Sequence, residues 1–512
     1  MRALRSGSFL AFLLCSAIAG CSGAGFTLPH DRVANAGVRA GRVPNARPTR
    51  CPAADYTCIQ HIVIVIQENR SFNNLFMGFP GADTRRTGMA GSRVIPLQRV
   101  ALEDSDGDIS HCWEDAMKAY RGGKMDGFNL EHAESFPIAN CPSLFLHGKP
   151  VGTSGKWSPY VYVPNGAPKY VREAGPYWQM ATQYVLADHY FPTDFGPSFT
   201  AHQYLIAGTT DVKDDVAIVN YPGWRNKEGG INLSASTSWS CDSPPQASKT
   251  STLDVRRIIS RGTGPFPCFD QYRTIADSLD ARGVPWQFFT PETSGKGCPY
   301  CIKGDYIWSP FSAIGAVRYG PDWANVVTPQ TDVLAAAARG RLKGVTWVVP
   351  DGRYSDHSGP YVTDEGPSWV SAIVNAVGTG PQWSSSAVIV LWDDWGGLYD
   401  GVAPPQMDFR GLGIRTPLII VSPYAQHGKV SKIQYEPGSI LKFIETVFKL
   451  PPIGGACPAP PANGYGYTDC RANVLGGFDF RQAPRAFTPI KSRYPPSKFV
   501  HSTLPVIPPD TE

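Results

Sequence analysis

The sequence predicts an α/β fold with a mostly parallel central sheet, and three apolar runs are the basis of that prediction. The run 62–66 consists only of Ile and Val, and the runs 344–349 and 387–392 are largely apolar. Continuous runs of this kind are typical of strands that are buried on both faces of a parallel sheet. Each run ends in a polar cluster. Because ligands in open α/β folds bind at the carboxyl edge of the sheet, these clusters mark the candidate site.

The first 20 residues are predicted to be a secretory signal. Two arginines precede the apolar segment 9–14, which is too short to span a bilayer. The segment 18–21, Ile-Ala-Gly-Cys, is similar to the lipobox of bacterial lipoproteins, which would make Cys21 a lipidated first residue. Ordinary cleavage after Ala19 is the alternative. The protein is therefore expected to be exported, either as a membrane-anchored lipoprotein of the bacterial envelope or as a periplasmic or secreted protein.

Composition limits the classes of partner. Removing the signal takes away two arginines and lowers the formal charge from +4 to +2. A near-neutral chain excludes the clustered basic face of a nucleic-acid binder, and the sequence has no Lys/Arg run of the kind that holds a protein on an anionic membrane surface. Residues 21–55 are expected to form a flexible tether, 56–455 one large α/β domain and 456–512 a proline-rich extension. Within the domain, 105–180 and 210–270 are expected to be long loop insertions.

Cysteine usage agrees with export. Ten cysteines remain besides the two near the N-terminus, and an even number in an exported chain indicates disulfides. Because they fall in neighbouring pairs, we expect sequential bonds, although connectivity does not follow from sequence. The expected pairs are 51 with 58, 112 with 141, 241 with 268, 298 with 301 and 457 with 470. The pair Cys298 and Cys301 also matches a redox Cys-x-x-Cys, but no thioredoxin-like strand and helix surround it.

The first apolar run is followed, after Gln67, by Glu68 and Asn69. A carboxylate beside an amide carbonyl gives two hard oxygen donors, which suit Mg, Ca or Mn and are tolerated by Zn. The alternative is that Glu68 caps a helix beginning near Ser71, with Asn69 in the turn. The local sequence leaves both interpretations open.

The segment 68–73, Glu-Asn-Arg-Ser-Phe-Asn, resembles the opening motif Glu-Asn-Arg-Ser-Phe-Asp of the bacterial phosphoesterase family, which contains acid phosphatases and phospholipases C. The resemblance implies a three-layer α/β/α core like that of alkaline phosphatase, with long loop insertions. Asn73 stands where the family usually has Asp. Whether a metal site in this chain needs the negative charge of that Asp is therefore an open question at this point.

His111 and the segment 122–128, Gly-Gly-Lys-Met-Asp-Gly-Phe, also resemble the family. The resemblance implies that His111 contacts the phosphate, whereas a lone histidine is more often structural. The segment 355–357, Ser-Asp-His, resembles a second family motif, and this implies that His357 meets the phosphoryl oxygens.

Ser198 follows a break at Gly196-Pro197 and is predicted to begin a helix. Backbone N–H groups and the positive end of the helix dipole gather at such a position and would stabilise a phosphate there. The alternative is an ordinary capping serine. The family resemblance implies that Ser198 takes the phosphoryl group. Family members often continue with Pro-Asn and a basic residue, whereas this chain has Thr-Ala-His, with Ala201 in the middle.

Asp393 and Asp394 follow the third apolar run. Adjacent carboxylates repel one another at low effective dielectric unless a cation lies beside them, so a metal is plausible. A solvated pair in the turn before Gly396 is the alternative. The segment 393–405 resembles a family motif in which Glu is usual at Asp394 and His at Gly401.

Taken together, the motifs predict one site at the ends of several strands. The resemblance implies metal-dependent hydrolysis of phosphate esters, of the acid-phosphatase type, through a phospho-serine intermediate. A phospholipase C acting on lipid headgroups and a non-catalytic ligand-binding protein are the alternatives. The predicted catalytic residues are Ser198, His111 and His357, and the predicted ligands of a divalent metal ion are Glu68, Asn69, Asp393 and Asp394.

Overall fold

The structure is a computed structural model of the chain. It describes residues 51–103, 108–133, 150–155, 157–220, 240–243, 249–292, 308–359, 363–455, 457 and 466–507. In these ranges the strands are β1 His61–Gln67, β2 Thr87–Ala90, β3 Arg93–Pro96, β4 Gln98–Arg99, β5 Val161–Tyr162, β6 Val185–Tyr190, β7 Asp211–Lys213, β8 Val216–Val219, β9 Ser251–Asp254, β10 Ile259–Ser260, β11 Trp286–Phe289, β12 Val326–Val327, β13 Val345–Val348, β14 Ser386–Trp392, β15 Thr416–Val421 and β16 Lys429–Tyr435.

The α-helices of the same ranges are α1 Phe72–Phe76, α2 Trp113–Tyr120, α3 Gly175–Gln183, α4 Ser198–Ala207, α5 Ile275–Ala281, α6 Gly315–Arg318, α7 Asp332–Ala338, α8 Gly366–Thr379, α9 Pro437–Phe448 and α10 Ser497–Val500. No helix among these combines the length and the apolarity that a membrane crossing requires.

The main sheet has eight strands in the order β12, β11, β13, β1, β14, β15, β6 and β16. Strand β1 lies in the middle and runs parallel to both of its neighbours, β13 and β14. Strand β15 is antiparallel to β14 and β6, and the other pairings are parallel. The prediction of a mostly parallel sheet is confirmed, because all three apolar runs form its centre.

Both faces of the sheet are covered. Residues 62–66 of β1 are at most 1% exposed, as expected where helices lie on the two faces. The helices pack in two groups, with α3 and α7 against α8, and α5 and α9 against α4. Helices on both faces of a mostly parallel sheet form the α/β core that the sequence predicts.

Part of the fold differs from the expectation. The segment 210–270, expected to be a loop excursion, contains the antiparallel sheet β10, β9, β8 and β7. Its strands have three or four residues except the two-residue β10, and strands this short leave little periodicity in the sequence. Strands β6 and β16 were also not expected.

Three of the predicted disulfides are confirmed: Cys51 with Cys58, Cys241 with Cys268, and Cys457 with Cys470. Cys112 is disulfide-bonded as well. Cys141, the predicted partner of Cys112, lies outside the described residues, as do Cys298 and Cys301.

Candidate active site

Two neighbouring strands bring four of the predicted residues to one edge of the sheet. Gln67 at the end of β1 is in register with Trp392 at the end of β14. The residues that follow the two strands, 68–69 and 393–394, therefore lie side by side. The backbone N–H of Asp393 donates to the carbonyl of Gln67 at 3.1 Å. On the other side of β1, the N–H of Glu68 donates to the carbonyl of Ser355 at 2.8 Å, which fixes the loop that carries His357.

Ser198 is the first residue of α4, as predicted, and Pro197 precedes it in extended conformation. Its hydroxyl Oγ lies 3.2 Å from Asp394 Oδ2 and 3.2 Å from the Asn69 side-chain oxygen. The side chain is 1% exposed. The proposed nucleophile and two of the proposed metal ligands thus meet within hydrogen-bond distance.

Oxygen atoms converge around the Asn69 side chain. Its amide oxygen lies 3.1 Å from Glu68 Oε2 and 3.2 Å from Asp393 Oδ1, in addition to its contact with Ser198. Neither of the two carboxylates can donate a hydrogen bond when ionised. Such a group of hard oxygen atoms is the donor set of a divalent cation.

The Asn69 amide nitrogen points the other way, to the two predicted histidines. It lies 2.8 Å from His111 Nε2 and 2.9 Å from His357 Nε2. The Nδ1 atoms contact backbone carbonyls, those of Ile109 and Ser358 respectively. Because a carbonyl only accepts, each Nδ1 carries a proton, and the neutral imidazole then offers Nε2 as the acceptor for the amide nitrogen.

Turning the Asn69 amide over would exchange these roles. The nitrogen would donate to the oxygens of Glu68, Ser198 and Asp393, and the oxygen would accept from both Nε2 atoms. Both histidines would then be imidazolium cations, because their Nδ1 protons are already committed. A cation among the oxygens and a pair of imidazolium ions are thus two ways of balancing the same buried negative charge.

His202 joins this site, and the sequence interpretation treated it only as a departure from the family pattern. Its Nε2 lies 2.9 Å from Glu68 Oε1 and 3.6 Å from Asp393 Oδ2. One ligand atom from each of these three residues lies within 4.8 Å of the other two, a spacing suited to a metal ion. The signal in the sequence is the spacing from Ser198, since positions i and i+4 of a helix share a face.

Burial destabilises the ionised form of these carboxyl groups. It raises the pKa of Glu68 well above its usual value, and it does the same for Asp393, whose pKa the charges of Glu68 and Asp394 raise further. Burial also lowers the pKa of His202 to about 4, which favours a neutral imidazole. Within the described ranges no hydrogen bond reaches Asp393 Oδ2. Buried carboxylates with an open acceptor and a neutral imidazole fit a divalent cation.

Comparison with known proteins gives the family of the chain. A model of the phosphoesterase family matches residues 59–451, which include every residue of the site. The chain belongs to the phosphoesterase family.

Two relatives in this family are named phospholipases C. The chain is similar to the non-hemolytic phospholipase C of Pseudomonas aeruginosa, with 23% identity over 76% of this chain and 54% of the relative. It is also similar to phospholipase C A of Mycobacterium tuberculosis, with 24% identity over 78% of this chain and 75% of the relative. The chain thus spans about half the length of the first relative and three quarters of the second.

A solved structure of an alkaline phosphatase superfamily protein from Vibrio parahaemolyticus is similar to part of this chain. The alignment covers 53% of this chain and 60% of the solved chain, at 12% identity and a TM-score of 0.28. That score is too low to support a detailed comparison of the two folds.

Asn73, a departure from the phosphoesterase motif, lies outside the oxygen cluster. Its side chain pairs with the backbone of Arg85, accepting from the N–H at 2.6 Å and donating to the carbonyl at 3.0 Å. An ionised Asp could not make the second bond. A side chain at Gly401 would meet Arg85 and the hydroxyl of Tyr399, at 2.7 and 2.9 Å from an added Cβ, so the family's His has no room here.

The loop that carries His357 is held by a buried carboxylate. Asp356 adopts a left-handed conformation with φ of 73° and accepts hydrogen bonds from Tyr177 and Trp392. Its carbonyl accepts from Arg70 Nε at 2.6 Å. Burial raises the pKa of Asp356 to about 6. This network ties the histidine loop to β14 and to the segment after β1.

Proposed function

We propose that the protein hydrolyses phosphate esters in two displacements, with Ser198 as the nucleophile and Asp394 as the acceptor of its proton. The observation that carries the proposal is the position of Ser198 Oγ, at the first residue of a buried helix and 3.2 Å from Asp394 Oδ2. Backbone N–H groups at a helix start stabilise the negative charge of a phosphoryl group. A carboxylate in hydrogen-bond contact with a hydroxyl can take its proton during attack.

The bonds and protons balance in this scheme. In the first step a Ser198 O–P bond forms, the P–O bond to the alcohol breaks, and the alkoxide receives a proton. In the second step water attacks the phospho-serine and gives a proton to the histidine that protonated the alkoxide, the Ser198 O–P bond breaks to release phosphate, and Asp394 returns the proton to Ser198. His111 and His357 lie side by side, with both Nε2 atoms within 2.9 Å of the Asn69 amide nitrogen. With a proton on Nε2, either ring is placed to donate to phosphoryl oxygens or to protonate the leaving alkoxide.

Glu68, Asn69, Asp393 and His202 would hold a divalent cation, with Asp394 at the edge of the set. Such an ion would polarise the phosphoryl group and lower the pKa of the Ser198 hydroxyl. The proposal of a metal is supported by the converging oxygen atoms and by the open acceptor on Asp393.

The test of the nucleophile uses p-nitrophenyl phosphate. Ser198→Ala is expected to reduce turnover by about a thousandfold or more, because binding and electrostatic stabilisation alone remain. Ser439→Ala, in the first turn of α9, is the matched control and is expected to keep its turnover. With glycerol added, the wild-type protein is expected to release more nitrophenol than free phosphate, since the alcohol intercepts the phospho-serine. Near-normal turnover of Ser198→Ala would mean that water attacks phosphorus directly.

Phospholipase C activity is a second candidate, because the relatives described above bear that name. It would use the same residues on a phosphodiester, and the leaving alcohol would be diacylglycerol. Parallel assays on p-nitrophenyl phosphate and on phosphatidylcholine separate the two activities. Turnover of the first substrate alone would favour a phosphomonoesterase, and turnover of the second a phospholipase C. Turnover of neither would favour a ligand-binding protein on the same fold.

We also propose that Cys21 carries a lipid anchor, on the basis of the lipobox-like segment before it. Cys21→Ser is expected to move the protein from the membrane fraction to the soluble exported fraction. Finding the wild-type protein already in the soluble fraction would contradict the anchor.

A further inference from the structure

The β9–β10 hairpin presents a rigid, partly apolar tip to solvent. Val255 is 41% exposed and Ile258 is 50% exposed. Between them the chain turns tightly, because Asp254 Oδ1 accepts from the N–H groups of Arg256 and Ile258 at 2.8 and 3.0 Å. Arg257 completes the turn in a left-handed conformation with φ of 60°. The turn is therefore fixed with both apolar side chains directed outward.

A second loop lies against this tip and adds to its apolar surface. Arg257 Nε donates to the carbonyl of Phe409 at 2.8 Å, and its Nη2 contacts Gln406. Met407, between these two residues, is 46% exposed. Side chains of this size gain free energy when they leave water, so a group of three on two fixed loops favours an apolar partner.

The surroundings of these apolar residues carry excess positive charge. The exposed Arg256 pairs with Asp254 at 2.8 Å. Arg257, which is half-buried, contacts only neutral groups among the described residues, and the exposed Lys124 meets no carboxylate there. Lys124 follows Gly123, whose added Cβ would lie 3.9 Å from the Cβ of Ala403, four residues before Met407 on the same segment. Unpaired cations around an apolar tip complement a partner that is both apolar and anionic.

This face is connected to the segment that precedes Ser198. The loop that carries Met407 continues to Gly411, whose carbonyl accepts from the N–H of Asp194 at 3.0 Å. An added Cβ on Gly411 would lie 2.8 Å from the ring of Phe195, three residues before Ser198. The apolar tip and the candidate active site are thus joined through one short segment.

We propose that Val255, Ile258 and Met407, with Arg257 and Lys124 around them, form a docking patch that seats the protein on an anionic phospholipid surface. The three apolar side chains enter the headgroup region, and the two cations contact lipid phosphates. The benefit to catalysis rests on the proposed function, because docking would bring Ser198 close to lipid phosphodiesters. The docking itself requires no turnover.

The test measures sedimentation of the full chain with vesicles, in a Cys21→Ser background that removes the predicted anchor. Vesicles of phosphatidylcholine alone are compared with vesicles that also contain phosphatidylglycerol. The protein is expected to bind the anionic vesicles more tightly, with affinity that falls as salt is added. The double variant Val255→Ser with Ile258→Ser is expected to lose about tenfold in affinity. Lys124→Glu is expected to lose about fivefold or more at low salt.

Matched controls are available elsewhere on the chain. Ile433 on β16 and Val500 in α10 are 47% and 49% exposed, so their double Ser variant removes similar apolar surface outside the patch. This control is expected to bind vesicles as the parent does. Absence of vesicle binding by the parent, equal binding to both vesicle types, or equal loss in the control would each overturn the proposal.

Turnover of p-nitrophenyl phosphate is followed in parallel for the same proteins. It is expected to be unchanged in the patch variants, since none of these side chains contacts the site. Vesicle binding without any turnover would remove the proposed function and leave the docking patch in place. Turnover without vesicle binding would remove the docking patch and leave the proposed function in place.

Discussion

His202 Nε2 lies 2.9 Å from Glu68 Oε1, and both side chains are fully buried. The contact joins the second turn of α4 to the residues after β1, so it connects the helix that carries Ser198 to the oxygen cluster. Because burial lowers the pKa of His202 to about 4, the ring is neutral, and Nε2 can donate a proton to Glu68 or, when the proton is on Nδ1, offer its lone pair to a metal. Its Nδ1 has no hydrogen-bond partner among the described residues.

The first prediction follows from this contact. His202→Gln is expected to lower the affinity for the bound metal by about tenfold to a hundredfold, because it removes one ligand and leaves the oxygens in place. Metal content by mass spectrometry and the metal concentration needed for half-maximal turnover both measure the effect. His189→Gln, a histidine on β6, serves as the control. Equal metal affinity in both variants would limit His202 to a structural role.

The second prediction concerns the carboxylates. Glu68→Gln and Asp393→Asn are each expected to abolish turnover and to lower metal content, because each removes a charged ligand with little change in volume. Both quantities are measured on the same preparation. An inactive variant that keeps its full metal content would assign that carboxylate to proton transfer.

The sequence predicted the centre of the fold because a continuous apolar run is a local feature of the sequence. The runs that became β1, β13 and β14 have side chains buried on both faces, and their carboxyl ends meet by the geometry of a parallel sheet. Strand β6 was not predicted because it contains the polar residues Asp188 and His189. Asp188 is buried there beside two cations, Arg415, whose Nη1 lies 3.2 Å away, and Lys432, and both come from a distant part of the chain.

The sequence likewise predicted most of the site residues but not all of them. Motifs and strand ends predicted seven residues, and the structure brings all seven close together. They are Glu68, Asn69, His111, Ser198, His357, Asp393 and Asp394. His202 was not included because its partner, Glu68, is 134 residues away along the chain. The direction of the Asn69 amide depends on whether Nε2 of His111 and His357 carries a proton, which is set by the charge of the whole buried cluster and not by the local sequence.

The third prediction tests the backbone around Asn69. Asn69 adopts a left-handed conformation with φ of 56°, and Gly396 packs directly against it. A Cβ on Gly396 would lie 2.4 Å from the Asn69 carbonyl oxygen, so Gly396→Ala must displace the segment that carries Glu68 and Asn69. A shift of about 1 Å at a catalytic group costs about a hundredfold in rate, and we expect a loss of that order in kcat.

Gly91→Ala is the control for that variant. Gly91 has φ of 58°, close to the 59° of Gly396, but an added Cβ there meets nothing within 4 Å. Both variants therefore carry the same backbone strain, and only one touches the site. If turnover falls equally in both, general destabilisation explains the effect and the contact with Asn69 does not.

The last prediction concerns the pH dependence of stability, far from the oxygen cluster. Glu445 on α9 and Asp469 are 7% and 1% exposed, and the N–H of Ile453 donates to both, at 3.2 Å to each. Burial, together with the neighbouring Asp469 charge, raises the pKa of Glu445 to about 9, against an ordinary value of 4.5. The folded protein therefore keeps a proton on Glu445 that the unfolded chain releases above about pH 4.5.

Because the folded pKa is the higher one, this group contributes its full stability below pH 4.5, and the contribution is lost as the pH rises towards 9. Glu445→Gln keeps a neutral group that can donate to Asp469 and removes the titration. The melting temperature of the wild-type protein is expected to fall more between pH 5 and pH 9 than that of the variant, by about 2 °C or more. Glu173→Gln, which removes a partly exposed carboxylate, is expected to follow the wild-type curve. Parallel curves for all three proteins would show that Glu445 is ionised in the folded state.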